Sequence, residues 1–330
     1  MDDAGPHDGC QGPPGLYKDT TARCEELSEG VQPYHPRFPL WSDGATKDRF
    51  VYLPPGTHID TSNPDRWSFP VGTRLYKTFA FGDLKVETRL VEKVASGTGY
   101  NAWKVVTYAW NAAQNSATAA DKNGVVNPLG TQFDIPSQLA CQNCHAMNGA
   151  DAAIGFNAIQ LNHEEDGVNL RGLIKDRWLV NQRDPAHPNI DLDNAVILGD
   201  ATTQAALGYL HGNCGHCHGG PNPRANQLLW STVGTTALKD SAIFRTAVCQ
   251  CLVSWTGRSN ADGGSYELRV APNHEALSGI VGRMSARVAG ERMPPVGTKL
   301  VDKAGLTSVK RWIDSLDPTG CDAATLVCPP

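Results

Sequence analysis

Apolar residues recur along this chain in two textures, and the change between them falls near residue 136. From about residue 38 to 110 short β-prone runs are separated by turn residues. Phe50, Val51, Tyr52 and Leu53, for example, end at Pro54, Pro55 and Gly56. Further runs cover 74–81, 85–94 and 103–110, bounded by Gly or Asn. Leu84, Val86, Thr88 and Leu90 alternate with charged residues, so one side of that strand should meet a core. The pattern predicts an antiparallel sandwich or barrel-like module over 36–135, preceded by a tail over 1–35. Within it, 111–129 is polar and rich in Gly and Asn, the texture of a long loop. The charges of 85–93 are expected on the solvated face of a strand pair.

Beyond 136 the apolar spacing becomes helical. Ala158, Ile159 and Leu161, then Leu170, Leu173, Ile174 and Trp178, fit helices interrupted around Asp166 and Gly167. A helix over 202–210 leads to Cys214. In the last helix, over 306–316, Leu306, Val309, Trp312, Ile313 and Leu316 share one face, and Pro318 and Gly320 end it. The fold class is therefore α+β: an N-terminal antiparallel β-rich module, then mainly helical regions over 136–200 and 201–330.

Composition adds two exclusions. The net charge of −5 gives no sign of nucleic-acid binding or of capture by an anionic membrane. No run of apolar residues is long enough to predict a transmembrane helix.

The chemistry lies in the cysteines. Cys141, Gln142, Asn143, Cys144, His145 and Cys214, Gly215, His216, Cys217, His218 both read Cys-x-x-Cys-His, the attachment signature of c-type haem. Two thiols at this spacing reach the two vinyl groups of one porphyrin, and the adjacent imidazole ligates the iron. Two covalently bound haem c groups are expected. A zinc site could use the four thiols but would leave both trailing histidines unexplained; a disulfide beside an idle histidine is the plainer competitor.

Six cysteines remain: Cys10, Cys24, Cys249, Cys251, Cys321 and Cys328. An even remainder favours three disulfides. Cys10 should pair with Cys24, and Cys249 and Cys251 with Cys321 and Cys328, while Cys321 with Cys328 is a competing choice. Thioether-linked haem implies assembly outside the cytoplasm. The first residues, Met1, Asp2, Asp3, Ala4, do not read as a signal peptide. A removed export signal and a periplasmic or cell-surface location are expected.

After the second motif comes Arg292, Met293, Pro294, Pro295, then Asp302, Gly305, Trp312 and Ile313. With these residues the C-terminal region resembles a small class I cytochrome c domain. The resemblance implies that His218 and Met293 are the axial ligands of the second haem. Further residues carry a wider likeness: Phe38 to Gly44, Glu87, Thr88 and Arg89, Ile154, Gly155 and Phe156, and Tyr209, Leu210, His211, Gly212 and Asn213. They make the chain, over roughly residues 35 to 316, similar to a bacterial two-haem c-type cytochrome family. That likeness implies cytochrome c-like haem-binding regions, an electron-carrying role and redox protein partners.

At the first haem His145 is the expected proximal ligand, but no methionine lies between Met147 and Met284. Met147 is too close to His145 to cross to the distal side. A histidine is expected there instead: His211 first, as the residue three before Cys214, then His163, with His187, His35, His58 or a vacant position after them. His35 and His58 are otherwise expected to be solvated or backbone-bonded, and Trp41, Trp67, Trp103 and Trp110 to be packing residues. Methionine ligation raises the potential, so electrons should pass from the first haem to the second. Two functions follow. One is an electron-transfer protein with both irons six-coordinate; the alternative is a di-haem peroxidase or oxidase with an open distal site at the first haem. A third possibility makes the β-module a docking element for a dehydrogenase or surface partner.

Overall fold

In the computed structural model, residues 9–19, 24–146, 151–186, 189–219, 227–252, 266–319, 321 and 328 are described. Met147 and His187 lie outside them. The chain forms two compact units, Met1–Pro36 with Gly44–Asp191, and Arg37–Asp43 with Leu192–Pro330.

The strands of the first unit are β1 (Val31–Pro33), β2 (Thr46–Tyr52), β3 (Ile59–Asp60), β4 (Arg74–Phe81), β5 (Leu84–Lys93), β6 (Trp103–Trp110), β7 (Ala117–Ala119), β8 (Val125–Val126), β9 (Asp134–Ile135) and β10 (Leu179–Val180). Six of them make one antiparallel sheet in the order β1-β2-β4-β5-β6-β7. β8 pairs with β9, and β10 lies parallel to β3. β7 and β8 fall in the stretch expected to be a loop. They are too short, at three and two residues, to show alternation in the sequence.

The module is built on this six-stranded sheet, both faces of which are covered, one of them by the β8–β9 pair through Val125 and Ile135. On one face Tyr76 and Leu90 pack with Leu16 and Val31. The Cys10–Cys24 disulfide seats the N-terminal segment there against Trp110 and Ala117. Burying each large apolar side chain contributes about 1.5–3 kcal/mol, which explains how a Pro/Gly-rich tail without periodicity is held down. On the other face Phe79 and Val86 join Ala45, Phe133 and Ile135.

That second face overturns one expectation: Glu87 and Lys93 are buried, not solvated. The residues after β9 cover them, so the alternation of charge in β5 marks a polar interior. Lys93 Nζ pairs with Asp151 Oδ1 at 2.6 Å. The same oxygen accepts from Trp103 Nε1 at 3.0 Å, and Oδ2 accepts from the Phe69 N–H at 2.9 Å. A buried ion pair persists only with its remaining lone pairs satisfied in this way. The unit also holds α1 (Gln138–His145), α2 (Ala158–Leu161) and α3 (Leu170–Lys175). Asn157 and Asn169 cap α2 and α3 by accepting the N–H groups of Gln160 and Gly172.

The second unit contains α4 (Ala201–Asn213), α5 (Ala242–Thr246), α6 (Gly279–Ser285) and α7 (Lys303–Ser315). Asp200 and Asp302 cap α4 and α7. α7 packs against α4, with Val309, Trp312 and Ile313 fully buried. The crossing depends on Gly305, where a Cβ would stand 2.0 Å from the Tyr209 ring. Phe38 and Trp41 belong here and not to the β-module: Phe38 lies against Gly208, and the Trp41 N–H donates to Asn213 Oδ1 at 2.6 Å. Their apolar character announced a core without saying which. Cys249–Cys321 and Cys251–Cys328 are the disulfides of this unit, so the competing Cys321–Cys328 bridge does not form. No helix of the described residues is long and apolar enough to cross a membrane.

Candidate metal centres

The first motif occupies α1. Ser137 accepts the Ala140 N–H at 3.2 Å and starts the helix. Cys141 and Cys144, three apart, share one helical face. His145 Nδ1 lies 2.6 Å from the Ala152 carbonyl. A carbonyl only accepts, so the imidazole proton sits on Nδ1 and the Nε2 lone pair is left for a metal. Burial first, then the charge of Lys77, holds the His145 pKa at about 4, which keeps the ring neutral. Asp151, anchored by Lys93, Trp103 and the Phe69 N–H, immediately precedes Ala152 and fixes that carbonyl.

The second motif begins as α4 ends. Cys214 is the C-cap residue, and its carbonyl accepts the His218 N–H at 2.8 Å. Burial pushes the Cys214 thiol up to about 12. It also lowers His218, partly opposed by the backbone of Gln227. Cys214, Met293, Met284, Trp41, Tyr209 and Arg287 line one cleft. Met293 is held by its N–H on the Arg283 carbonyl at 2.8 Å. Beyond it, the Asp43 carboxylate takes the N–H groups of Lys299 at 2.7 Å and Leu300 at 3.0 Å.

No family model, no curated protein and no solved structure matches this chain. The chemistry of the donor sets must carry the reading. Cys141, Cys144, Cys214 and Cys217 stand outside the disulfides, which take up Cys10, Cys24, Cys249, Cys251, Cys321 and Cys328. The cleft beside Cys214 also holds orphaned donors: Trp41 Nε1 and Arg287 Nε and Nη1 are buried without a hydrogen bond. Each unsatisfied donor is destabilising by about 1–3 kcal/mol. A group carrying carboxylates and binding thiols, imidazole and thioether fits such a set, and haem c has those features.

The candidate distal histidines differ from His145. His211 is buried in α4, its ring 4.5 Å from Trp230, and its Nδ1 accepts the Ser231 N–H at 3.2 Å. A donor at Nδ1 places the proton on Nε2, which is buried without a hydrogen-bond partner and has no lone pair left for a metal. His163 shows the same pattern, accepting the Glu165 N–H at 3.1 Å. His58 resembles His145, with Nδ1 2.9 Å from the Arg177 carbonyl.

Sequence reasoning passed over two features. Met284 shares the cleft with Met293, and no motif marks it. Arg49, buried, and Lys77 and Arg89, half-buried, lie near the first motif. Burial, then Arg49, Arg89 and Lys47, hold Lys77 well below the usual lysine range. Their positions in separate strands concealed the cluster until the register was known.

Proposed function

We propose that this chain is an exported two-haem c-type cytochrome that carries electrons between redox partner proteins. The observation that carries the reading is the 2.6 Å approach of His145 Nδ1 to the Ala152 carbonyl beside two cysteines outside the disulfides, which presets a neutral imidazole with Nε2 open. Each haem, when bound, supplies a one-electron centre whose potential is set by its axial ligands and burial. Cys141 and Cys144 would attach the first haem and His145 would ligate it. Cys214 and Cys217 would attach the second, with His218 and Met293 as its axial pair. Trp41 and Arg287 would donate hydrogen bonds in the second cleft, and the Asp43 carboxylate would hold the chain that follows Met293. The three disulfides fit an oxidising compartment.

The test is acid-acetone extraction of protein purified from a host competent in cytochrome c maturation. Porphyrin should stay with the chain, at a mass increase equal to two haems. Loss of both porphyrins, or zinc alone by elemental analysis, defeats the reading.

One observation favours a second reading, a di-haem peroxidase or oxidase. His211 and His163 both accept backbone N–H groups at Nδ1, the arrangement of a donor and not of an iron ligand. With these two histidines set aside, an open distal position at the first haem is the second reading, with His58, bonded at Nδ1 like His145, as the remaining described histidine of that pattern. Binding of carbon monoxide or cyanide by the unmodified protein, with turnover of peroxide, would establish it.

A further inference from the structure

Arg49, Lys77, Arg89 and Thr107 form one cross-strand row over β2, β4, β5 and β6, each directly opposite the next. Like charges facing each other across strands destabilise a sheet. Arg49 is buried and Lys77 and Arg89 are half-buried, so water screens the row only in part. Glu87, two residues along β5 on the same face, pairs with Arg89. Its Oε2 is buried without a hydrogen bond. Arg49 donates to the Lys47 carbonyl at 3.2 Å, and Arg89 lies over the Phe79 ring at 4.3 Å. Among the described residues Lys77 has no carboxylate at ion-pair distance. Three basic side chains therefore face one carboxylate, an arrangement that an added anion beside the row would stabilise.

The position of the row identifies the anion. α1 packs on β6, and Thr107, at the end of the row, lies beside the Cys141 thiol and favours its charged form. Lys77 and Arg89 act electrostatically on His145 and Cys144. Strands lie about 4.8 Å apart, so Arg49 stands about 14 Å from Thr107. That is close to the reach of a porphyrin from its thioether-bearing edge to its propionate carboxylates.

We propose that this row is the carboxylate-binding wall of the first haem pocket, with Arg49 and Lys77, supported by Arg89, receiving the two propionates of the haem held by Cys141 and Cys144. The inference rests on the cytochrome reading and gives the β-sheet a cofactor-binding role that its sequence does not announce. Arg offers a fork of donors to a carboxylate and Lys a compact charge, and both strengthen when desolvated.

The test uses the full-length holoprotein and its variants Lys77→Gln, Arg49→Gln and Lys77→Arg. Haem content and the two midpoint potentials are measured across pH. Both Gln variants should keep two haems, lower one potential and make it pH-dependent, because an unpaired propionate favours ferric iron and takes up a proton on reduction. Lys77→Arg should restore the parent values. Tyr34, pushed up to about 12, and His145, held at about 4, do not titrate near neutrality. Asp48 and Lys47 also act on the row, from β2. Glu87 has a pKa raised by burial, so Lys77→Gln is repeated with Glu87→Gln, where the new pH dependence should persist. Two retained haems with unchanged potentials and pH profiles would overturn the assignment, as would a parent potential that follows added acetate, the mark of an exchangeable anion. A parent protein without haem would instead defeat the cytochrome reading.

Discussion

Lys93 and Asp151 join strand β5 to the segment that follows the first motif: Nζ and Oδ1 are 2.6 Å apart, both side chains almost completely buried. Asp151 precedes the carbonyl that orients His145, so Lys93, on a strand distant from the motif in sequence, helps to position its imidazole through Asp151. Asp151→Asn leaves the Lys93 charge uncompensated and should destabilise the unit by about 3–5 kcal/mol. Denaturant titration of the holoprotein checks this. A change below about 1 kcal/mol would contradict a buried pair of this kind.

Much of the first unit was legible in its sequence. The runs ending at Pro54 and the alternation around Val86 marked strands, because a half-buried strand repeats every second residue. Burial of Glu87 and Lys93 was not legible, since a charged alternation looks the same beneath water and beneath a polar covering layer. The pairing of Cys249 with Cys321 and Cys251 with Cys328 was legible only as a set. Spacing does not choose among partners until the chain is folded. Met293 was marked by its Pro-Pro loop, whereas Met284 reads as an ordinary apolar helical residue.

A Cβ added at Gly305 of α7 would stand 2.0 Å from the Tyr209 ring of α4, closer than any side chain could sit. Gly305→Ala should destabilise the second unit by about 1–3 kcal/mol through overpacking. Ala substitution ordinarily favours a helix, so a stabilised variant would show that the two helices are not in this contact. Thermal unfolding followed by circular dichroism distinguishes the signs.

The two C-terminal bridges close loops with sequence separations of 72 and 77 residues. Non-reducing peptide mapping should recover Cys249 with Cys321 and Cys251 with Cys328. Removing both through Cys321→Ser and Cys328→Ser should lower stability by about 2–4 kcal/mol. Removing one should lower it less, because the other still constrains nearly the same loop. A peptide linking Cys321 to Cys328 would contradict the arrangement.

Met293 and Met284 share the cleft with Cys214, so their roles separate by substitution. Met293→Ala should abolish the near-infrared band that marks methionine ligation of ferric haem and lower one potential. Met284, buried in α6, should behave as packing: Met284→Ala should keep the band and reduce stability by about 2–5 kcal/mol. The reverse pattern would move the ligand to Met284.

His211 decides how the first haem is to be read. Its Nδ1 receives the Ser231 N–H and its ring rests on Trp230, while burial, with His216, holds its pKa at about 3 and keeps it neutral. A neutral ring with an acceptor Nδ1 carries its proton on Nε2, where it blocks coordination. His211→Ala should therefore leave both haem spectra unchanged and reduce stability by about 1–3 kcal/mol, through the Ser231 N–H left without a partner. If the variant instead turns a low-spin iron high-spin and newly binds carbon monoxide, His211 is the sixth ligand and its ring must change partners when haem is attached. The unmodified protein supplies the second half of the comparison. A carrier with both irons six-coordinate should bind carbon monoxide and cyanide slowly or not at all. Rapid binding with peroxide turnover would place the protein among the enzymes and leave electron transfer as the role of the second haem.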